Sequence, residues 1–472
     1  MKKLCSLLLL AALALGLFGC GADPEAPTAA NKAPKGFLAG FGKADITPLE
    51  SVPLDSYGDS SNRMSDGIKD YLEARALALT DEQGESLVFV VGDMSWCPNG
   101  LGQTIRQTLS QRLGIPENHV ILSGTHTHAG VDYDNQEKPS AARYCTLYVE
   151  GMVAAAENAM ADRKPAQAYV ASAQTERMNF VRRYVMDDGS VSTDNGGGTG
   201  TTLVGHETDA DGELQLLKFV REGGKDILIG QFQTHPALEG KTTNASPQLA
   251  GNFRKAIEKA FDAHCIYWNG AAGNINPSSR IPDEVRTRDP QEWGQIMCGY
   301  VREVYDTMTP VSTGPIRVAE YTFKAKVNHA QDHLAHIASQ VWTVWSQTYD
   351  QAAAMALAEG QPINSVYHAN RIMGNAQMGE TFDIYLHSWS FGDVAGIVLP
   401  YEMFDTNGMT VKTESPFAKT FIVGYSWPAT CSYIPSALGF QNGGYEPNNC
   451  AFVPGTGEEL VEKWLELLNS MK

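Results

Sequence analysis

"HVILSGTHTH", residues 119–128, carries the chain from an apolar run into two histidines within ten positions. Short apolar runs rich in Val and Ile and bounded by turn residues read as buried strands. Five more stretches share the shape and end in polar or small residues: "SLVFVVGD" (86–93), "DILIGQFQTHP" (226–236), "CIYWNGAAGN" (265–274), "AGIVLPYE" (395–402) and "FIVGYSW" (421–427). Amphipathic patterns predict helices over 99–113, where Leu101, Ile105 and Leu109 share a face, and over 250–262 and 458–470. Strands alternating with helices predict an α/β fold of mixed sheets flanked by helices. Residues 187–212, rich in Gly, Asp and Thr, read as a long loop, and 327–370 as a partly helical insertion.

In open α/β sheets, ligands bind outside the carboxyl ends of the strands. The chemistry-bearing residues fall there. His126 and His128 follow one apolar run, His235 another, Asn274 and Asn276 a third and Glu402 a fourth. On an extended segment, residues i and i+2 point the same way, so His126 and His128 are expected to face one cavity. Imidazole nitrogens and carboxylate oxygens suit zinc. On this pattern alone the pair is equally a metal site or two structural histidines, and His235 adds a third imidazole. His329, His333 and His336 have the spacing of one helical face, but their neighbours are Ala, Gln and Asp and no HExxH glutamate accompanies them, so they read as solvated. His206 and Glu207 read as loop residues. No GxSxG elbow supports a serine nucleophile, and no GxGxxG follows a strand to hold a dinucleotide.

The formal charge of −18 disfavours a nucleic-acid partner, which needs a basic surface. Lys2 and Lys3 precede an apolar run, Leu7 to Phe18, that ends in "LFGC". This is the shape of a secretory signal with a lipoprotein cleavage box at Cys20, ordinary secretion being the alternative. The expected organisation is a signal peptide over 1–19, a flexible tether over 20–36 and one catalytic domain over 37–472. The expected location is that of an exported bacterial lipoprotein, anchored through Cys20 at the outer membrane, cell surface or periplasm. Six cysteines follow, without a CxxC pair, which argues against a thiolate zinc site. Cys431 and Cys450, in one loop region, are the expected disulfide.

A succession of motifs resembles the neutral/alkaline ceramidase family in its N-terminal catalytic domain. It runs through "GFGKADITP" (40–48), "YGDSSNRMSDGIKDYLEARALAL" (57–79), "VVGDMS" (90–95), "GTHTHAG" (124–130), "NFVRRYVMDDG" (179–189), "THP" (234–236), "NGAAGNINP" (269–277), "LPYEMF" (399–404), "YIPS" (433–436) and "GGYE" (443–446). The resemblance implies a zinc ion held by His126, His235, Glu402 and Tyr433. It implies that His128 meets the substrate and that Arg182 and Tyr445 contact the scissile group. Arg182 pairing with Asp187 or Asp188 is the alternative for that residue, and a structural role on the strand is the alternative for His128.

The chain also departs from the family. Where ceramidases carry G-D-x-S-P, it reads Gly273, Asn274, Ile275, Asn276 and Pro277, and Asn276 reads equally as a turn cap. "PYE" stands where Pro-Gly-Glu is usual, and a form of the family without its C-terminal immunoglobulin-like domain is expected. The expected function is zinc-dependent hydrolysis of an amide, N-acyl and sphingolipid-type, by a metal-activated water. The alternatives are an esterase or hydrolase of a non-ceramide substrate such as a glycan or peptide-like amide, and a non-catalytic surface lipoprotein that binds a ligand. A deep apolar cleft at the zinc would favour an acyl chain, and an open polar one a sugar or peptide-like substrate.

Overall fold

Period-two alternation along the strands decides how the layers stack. The computed structural model describes residues 36–58, 62–135, 138–193, 201–430 and 432–472. The signal peptide, Cys20, nearly all of the tether and Cys431, with its expected disulfide, lie outside the described residues. Cys97, Cys145, Cys265, Cys298 and Cys450 carry free thiols.

One sheet contains β1 (Leu38–Asp45), β2 (Glu73–Thr80), β3 (Ser86–Gly92), β4 (Val120–Gly124), β5 (Lys164–Gln174), β6 (Glu213–Arg221), β7 (Asp226–Phe232) and β8 (Ala263–Asn269). Their order is β8-β7-β6-β5-β1-β2-β3-β4, and Thr309–Val311 also pairs with β5. The pairs β3–β4 and β7–β8 are parallel and the other neighbours antiparallel, so the sheet is mixed. A second sheet has the order β9 (Ile316–Lys326), β10 (Thr381–Phe391), β11 (Val394–Val398) and β12 (Lys419–Val423), with only β11–β12 parallel.

Both faces of the first sheet are apolar, as its continuous runs require. Ala74, Ala76, Ala78, Val88, Val90 and Leu122 face helices α1 (Asn99–Leu113) and α2 (Pro139–Ala161). The alternate residues Leu77, Leu79, Phe89, Val91 and Ile121 face the second sheet and meet Trp389, Phe391 and Phe421. Each such side chain, fully buried, contributes about 1.5–3 kcal/mol. At the other end of the first sheet, α3 (Gln248–Ala260) and α4 (Pro290–Val304) cover Leu214, Leu216 and Leu228. An excursion between β9 and β10 holds α5 (Ala335–Thr348) and α6 (Val366–Asn375), which share their own core around Val341 and Ile372. The outer face of the second sheet, including Leu386 and Ile397, packs on α7 (Asp405–Glu414) and α8 (Thr456–Met471). The result is a helix–sheet–sheet–helix stack. Helix α2 lies so close to β1 that a Cβ at Gly42 would sit 2.1 Å from the Ala155 carbonyl. No helix among the described residues is long and apolar enough to cross a membrane.

Three sequence expectations are corrected. The run at 119–128 is strand only to Gly124. The 187–212 segment is not loop throughout: Arg183–Met186, Val191–Thr193 and Leu203–His206 form a small antiparallel sheet. His329 precedes a 3-10 turn at Asp332–Leu334, and α5 begins only at Ala335, so the three histidines there do not share one helix.

Candidate metal centre

The loops that leave β4, β7, β11 and β12 meet over one edge of the stacked sheets. After β4 the chain turns sharply. His126 adopts a left-handed conformation, with φ of 65°. Its backbone amide donates to the Met94 carbonyl at 2.9 Å, and Gly124 donates to Tyr425 at 3.0 Å. His128 and His126 do converge, but through this turn rather than through strand alternation. Their Nε2 atoms lie 3.2 Å apart. The His128 amide donates to Gln248 Oε1 at 2.9 Å, which ties the loop to the start of α3.

His235 follows β7, and its amide and Nδ1 both meet the Ile275 carbonyl, at 3.0 and 2.9 Å. His126 Nδ1 meets the Ser95 carbonyl at 3.1 Å. A carbonyl accepts only from N–H, so these bonds leave Nε2 of both rings with a lone pair, the arrangement metal-binding histidines use. Glu402 comes from the turn after β11. Its short strand, Glu402–Met403, pairs in parallel with Tyr433–Ile434, which sets Glu402 directly beside Tyr433. Glu402 Oε2 lies 3.2 Å from His235 Nε2 and 3.8 Å from His126 Nε2, and has no hydrogen-bond partner. Gly273 allows this approach: a Cβ there would lie 2.5 Å from the Glu402 carbonyl oxygen.

Arg182 enters from the segment after Phe180–Val181. Its guanidinium reaches three groups: Glu446 Oε1 at 2.9 Å, the Tyr433 hydroxyl at 3.1 Å and His235 Nε2 at 3.3 Å. Its carboxylate partner is thus Glu446, not Asp187 or Asp188. Tyr445 packs edge-on to Tyr433, and the Arg182 guanidinium lies 5.8 Å from its ring centroid. Every residue of the expected set therefore stands in one cluster: His126, His128, His235, Glu402, Tyr433, Arg182 and Tyr445.

The electrostatics follow from burial. Desolvation, then the neighbouring imidazoles, hold His126 well below the ordinary histidine range. His128 is lowered likewise, by burial, His235 and Arg182. Burial and Arg182 bring His235 down to about 3. Burial pushes Glu402 up to about 8 against the pull of Arg182. Burial also raises Tyr433 well above its usual range, and Tyr445 to about 12. Glu446 is held below the usual carboxylate range, because Arg182 and Arg183 outweigh its burial.

Three neutral imidazoles and an orphaned carboxylate oxygen present electron pairs to one small region. A divalent cation satisfies such a donor set, since buried polar groups without partners are costly. His126, His128 and His235 form the one group of potential ligands found among the described residues, with donor atoms within 4.8 Å of one another. The donor chemistry therefore fits zinc. It does not by itself separate His128 from the other two. The difference lies behind the ring: Nδ1 of His126 and His235 is anchored, whereas His128 Nδ1 has no partner.

The other candidates lie elsewhere. His206 bonds the Val181 carbonyl and Glu284. Glu207 makes two bonds to Arg183, at 2.6 and 2.9 Å. His329 pairs with Asp332. Asn274 turns away to Asp405, which it meets with both amide atoms, and Asn276 pairs with Phe180 in a two-residue bridge. The sequence reading missed Glu446, fully buried between Arg182 and Arg183. The Arg–Arg doublet in the apolar "NFVRRYV" was the available signal, because buried guanidinium groups demand carboxylates. It also missed Tyr425, whose ring stacks on His126 with centroids 3.7 Å apart.

A cavity of about 200 Å3 opens on Glu402, Tyr433 and Tyr445. A larger recess, about 660 Å3, lies beside α3 and α4 and contains none of the clustered residues.

Residues 37–259 match the family model described as neutral/alkaline non-lysosomal ceramidase, N-terminal. A neutral ceramidase of Pseudomonas aeruginosa is 26% identical over 261 residues, covering 51% of this chain and 37% of that protein. Neutral ceramidase 2 of Arabidopsis thaliana is 35% identical over 97 residues, 20% of this chain and 13% of its own length. The chain thus matches well under half the length of these curated relatives. A crystal structure of neutral ceramidase from Pseudomonas aeruginosa superposes with a TM-score of 0.71 at 17% identity, over 93% of this chain and 75% of that one. At that identity the likeness is one of fold.

Proposed function

Residues 37–259 belong to the neutral/alkaline non-lysosomal ceramidase family, and from that premise we propose that this chain is a zinc-dependent hydrolase of an N-acyl amide bond. A ceramidase by its name cleaves the amide of ceramide, and an ester is the nearest alternative bond. One observation carries the reading: three imidazoles, those of His126 and His235 buried and that of His128 half-buried, converge with a carboxylate oxygen that has no other partner.

His126, His235, Glu402 and Tyr433 would hold the metal. Zinc bound there supplies Lewis acidity, which acidifies water and polarises a carbonyl. Arg182 and Tyr445 donate hydrogen bonds to the carbonyl oxygen as negative charge develops on it. His128, with a free Nδ1, moves the proton. It takes it from the attacking water and returns it to the departing nitrogen. Overall, water adds across the C–N bond: a C–O bond forms, the C–N bond breaks, and a carboxylate and an amine leave. No serine is required, which agrees with Asn276 in place of the family's hydroxyl. "LFGC" supports export and a lipid anchor at Cys20.

The second reading, in which His128 is a metal ligand, rests on its donor atom lying, like those of His126 and His235, within 4.8 Å of the others. Metal analysis separates the two. Wild-type protein should carry about one zinc. His235→Ala should lose it, while His128→Ala should keep it and lose turnover. Full metal in His235→Ala would overturn the ligand assignment. A zinc-loaded wild type that turned over no amide or ester in a broad panel would favour a ligand-binding lipoprotein.

A further inference from the structure

The Arg182 backbone amide donates to the Asn274 carbonyl at 2.8 Å, which fixes its Cα. The side chain beyond is long and rich in rotamers, so its direction has to be set from elsewhere. Glu446 sets it. Glu446 Oε1 accepts from Arg182 Nε at 2.9 Å. Held at Nε, the planar guanidinium turns its other edge to the centre. There Nη2 donates to the Tyr433 hydroxyl at 3.1 Å, and Nη1 lies 3.3 Å from His235 Nε2.

Glu446 is itself held from behind. It is completely buried, and its Oε2 accepts from Arg183 Nη1 and Thr193 Oγ1, each at 2.9 Å. Arg183 in turn donates to both oxygens of Glu207, at 2.6 and 2.9 Å, and to the carbonyls of Gly439 and Gly443, at 3.2 and 2.8 Å. Two guanidinium groups thus meet two carboxylates away from solvent, the matching that buried charge requires. The two oxygens of Glu446 divide the task. Oε2 is tied to the scaffold, and Oε1 is turned to Arg182. Glu446 also follows Tyr445 in the helical turn Tyr445–Asn448, so the same anchor holds the backbone that presents Tyr445.

We infer that Glu446 is the positioning residue of the site: its carboxylate aims Arg182, and its turn aims Tyr445, at the carbonyl oxygen of the substrate. The inference rests on the hydrolase reading for what is bound and cut, and Glu446 itself touches no reacting atom. Donors fixed beforehand need no reorganisation as charge develops. A guanidinium held by its Nε meets that condition, and one free to swing does not.

The test is a double-mutant cycle on zinc-loaded full-length protein, read as the calorimetric Kd of acetohydroxamate, a zinc-binding probe with a carbonyl oxygen. Glu446→Gln is nearly isosteric, but its NH2 faces an N–H or O–H donor whichever way the amide is placed. Arg182→Ala and Glu446→Gln should each weaken binding about tenfold or more. The double variant should bind no more weakly than Arg182→Ala, because Glu446 acts through Arg182. Glu207→Gln is the control for a merely structural role. It disturbs the same network at Arg183 only, so it should lower Tm and leave Kd within about twofold of wild type. If Glu446→Gln does not fold, Glu446→Asp carries the test: it keeps the charge, is one methylene too short to span both guanidinium groups, and should show the same dependence on Arg182. Wild-type affinity in either single variant overturns the inference. So do losses that multiply in the double variant, or a loss in Glu207→Gln equal to that in Glu446→Gln. The expected cycle in a protein that turns over no amide or ester upholds the positioning role and overturns the hydrolase reading instead. A zinc-loaded wild type that binds no acetohydroxamate overturns both.

Discussion

Gly273 illustrates how one residue can govern the site without touching substrate. Its α-hydrogen faces the backbone of Glu402 and Met403, and a methyl group there would lie 2.5 and 3.0 Å from their carbonyls. Backbone cannot swing aside as a side chain does. Gly273→Ala should therefore displace Glu402 and cost about 1–3 kcal/mol. The expected outcome is a roughly tenfold or greater loss of zinc affinity, measured by competition with a chromophoric chelator. Unchanged affinity would mean that Glu402 does not hold the ion. At this scale the sequence was informative where residue type dictates chemistry. His126, His235 and Glu402 announced themselves by following apolar runs. The geometry that joins His126 to His128 was hidden, because a left-handed backbone at a histidine leaves no mark on hydrophobic periodicity. Glu446 was hidden for another reason: a carboxylate's partners are set by residues 263 and 264 positions away along the chain.

Between elements, polar ties complement the apolar layers. Glu213, at the start of β6, accepts from Lys412 of α7 at 2.9 Å and from Lys419 of β12 at 2.7 Å, so it staples the first sheet to the second. Burial works against the ionised Glu213, but the two lysines prevail and bring it down to about 2, from an ordinary value of 4.5. A carboxylate with a depressed folded-state pKa adds stability that is full above the unfolded value and is lost as pH falls through the folded one. The Glu213 contribution should therefore fade between pH 4.5 and about 2. Urea unfolding should find Glu213→Gln less stable than wild type at neutral pH and equal to it near pH 2. A difference that persists at pH 2 would exclude the ionic tie as its source. Strands β3, β4, β7, β8, β11 and β12 were legible as continuous apolar runs and α1 by its periodic apolar face, whereas β1, β2, β5, β6, β9 and β10 did not stand out as such runs. Helices α3 and α8 were displaced only by one or two residues at their ends. The three short strands between Arg183 and His206 were not legible: they have three or four residues each, too short to establish a period.

Across the whole molecule, the candidate ligands come from four separate places in the chain, and the two sheets must stack before they meet. Binding a cation to the native arrangement alone stabilises the fold by mass action, about 4 kcal/mol at a free concentration a thousand times Kd. Chelation should therefore lower Tm by several degrees, and added zinc should restore it, as followed by calorimetry. A Tm indifferent to chelator would count against a metal held by the native fold. The mixed-sheet α/β class followed from the order of runs and helices. The face-to-face pairing of the two sheets did not, because a run buried on both sides looks the same whether a helix or a second sheet covers it.

The left-handed turn at His126 has company. Gln248, which holds the His128 amide, has φ of 47°, and Tyr425, which stacks on His126, has φ of 55°. Each of these conformations costs a non-glycine residue about 1–3 kcal/mol, and all three lie around the same histidines. Glycine would relieve the strain at any of them and would remove the imidazole, the amide or the ring on which the site depends. Durability and activity thus pull in opposite directions at these three codons. A lineage selected for heat resistance alone would erode the centre first, while the surrounding layers, free of that conflict, could be improved without limit to function.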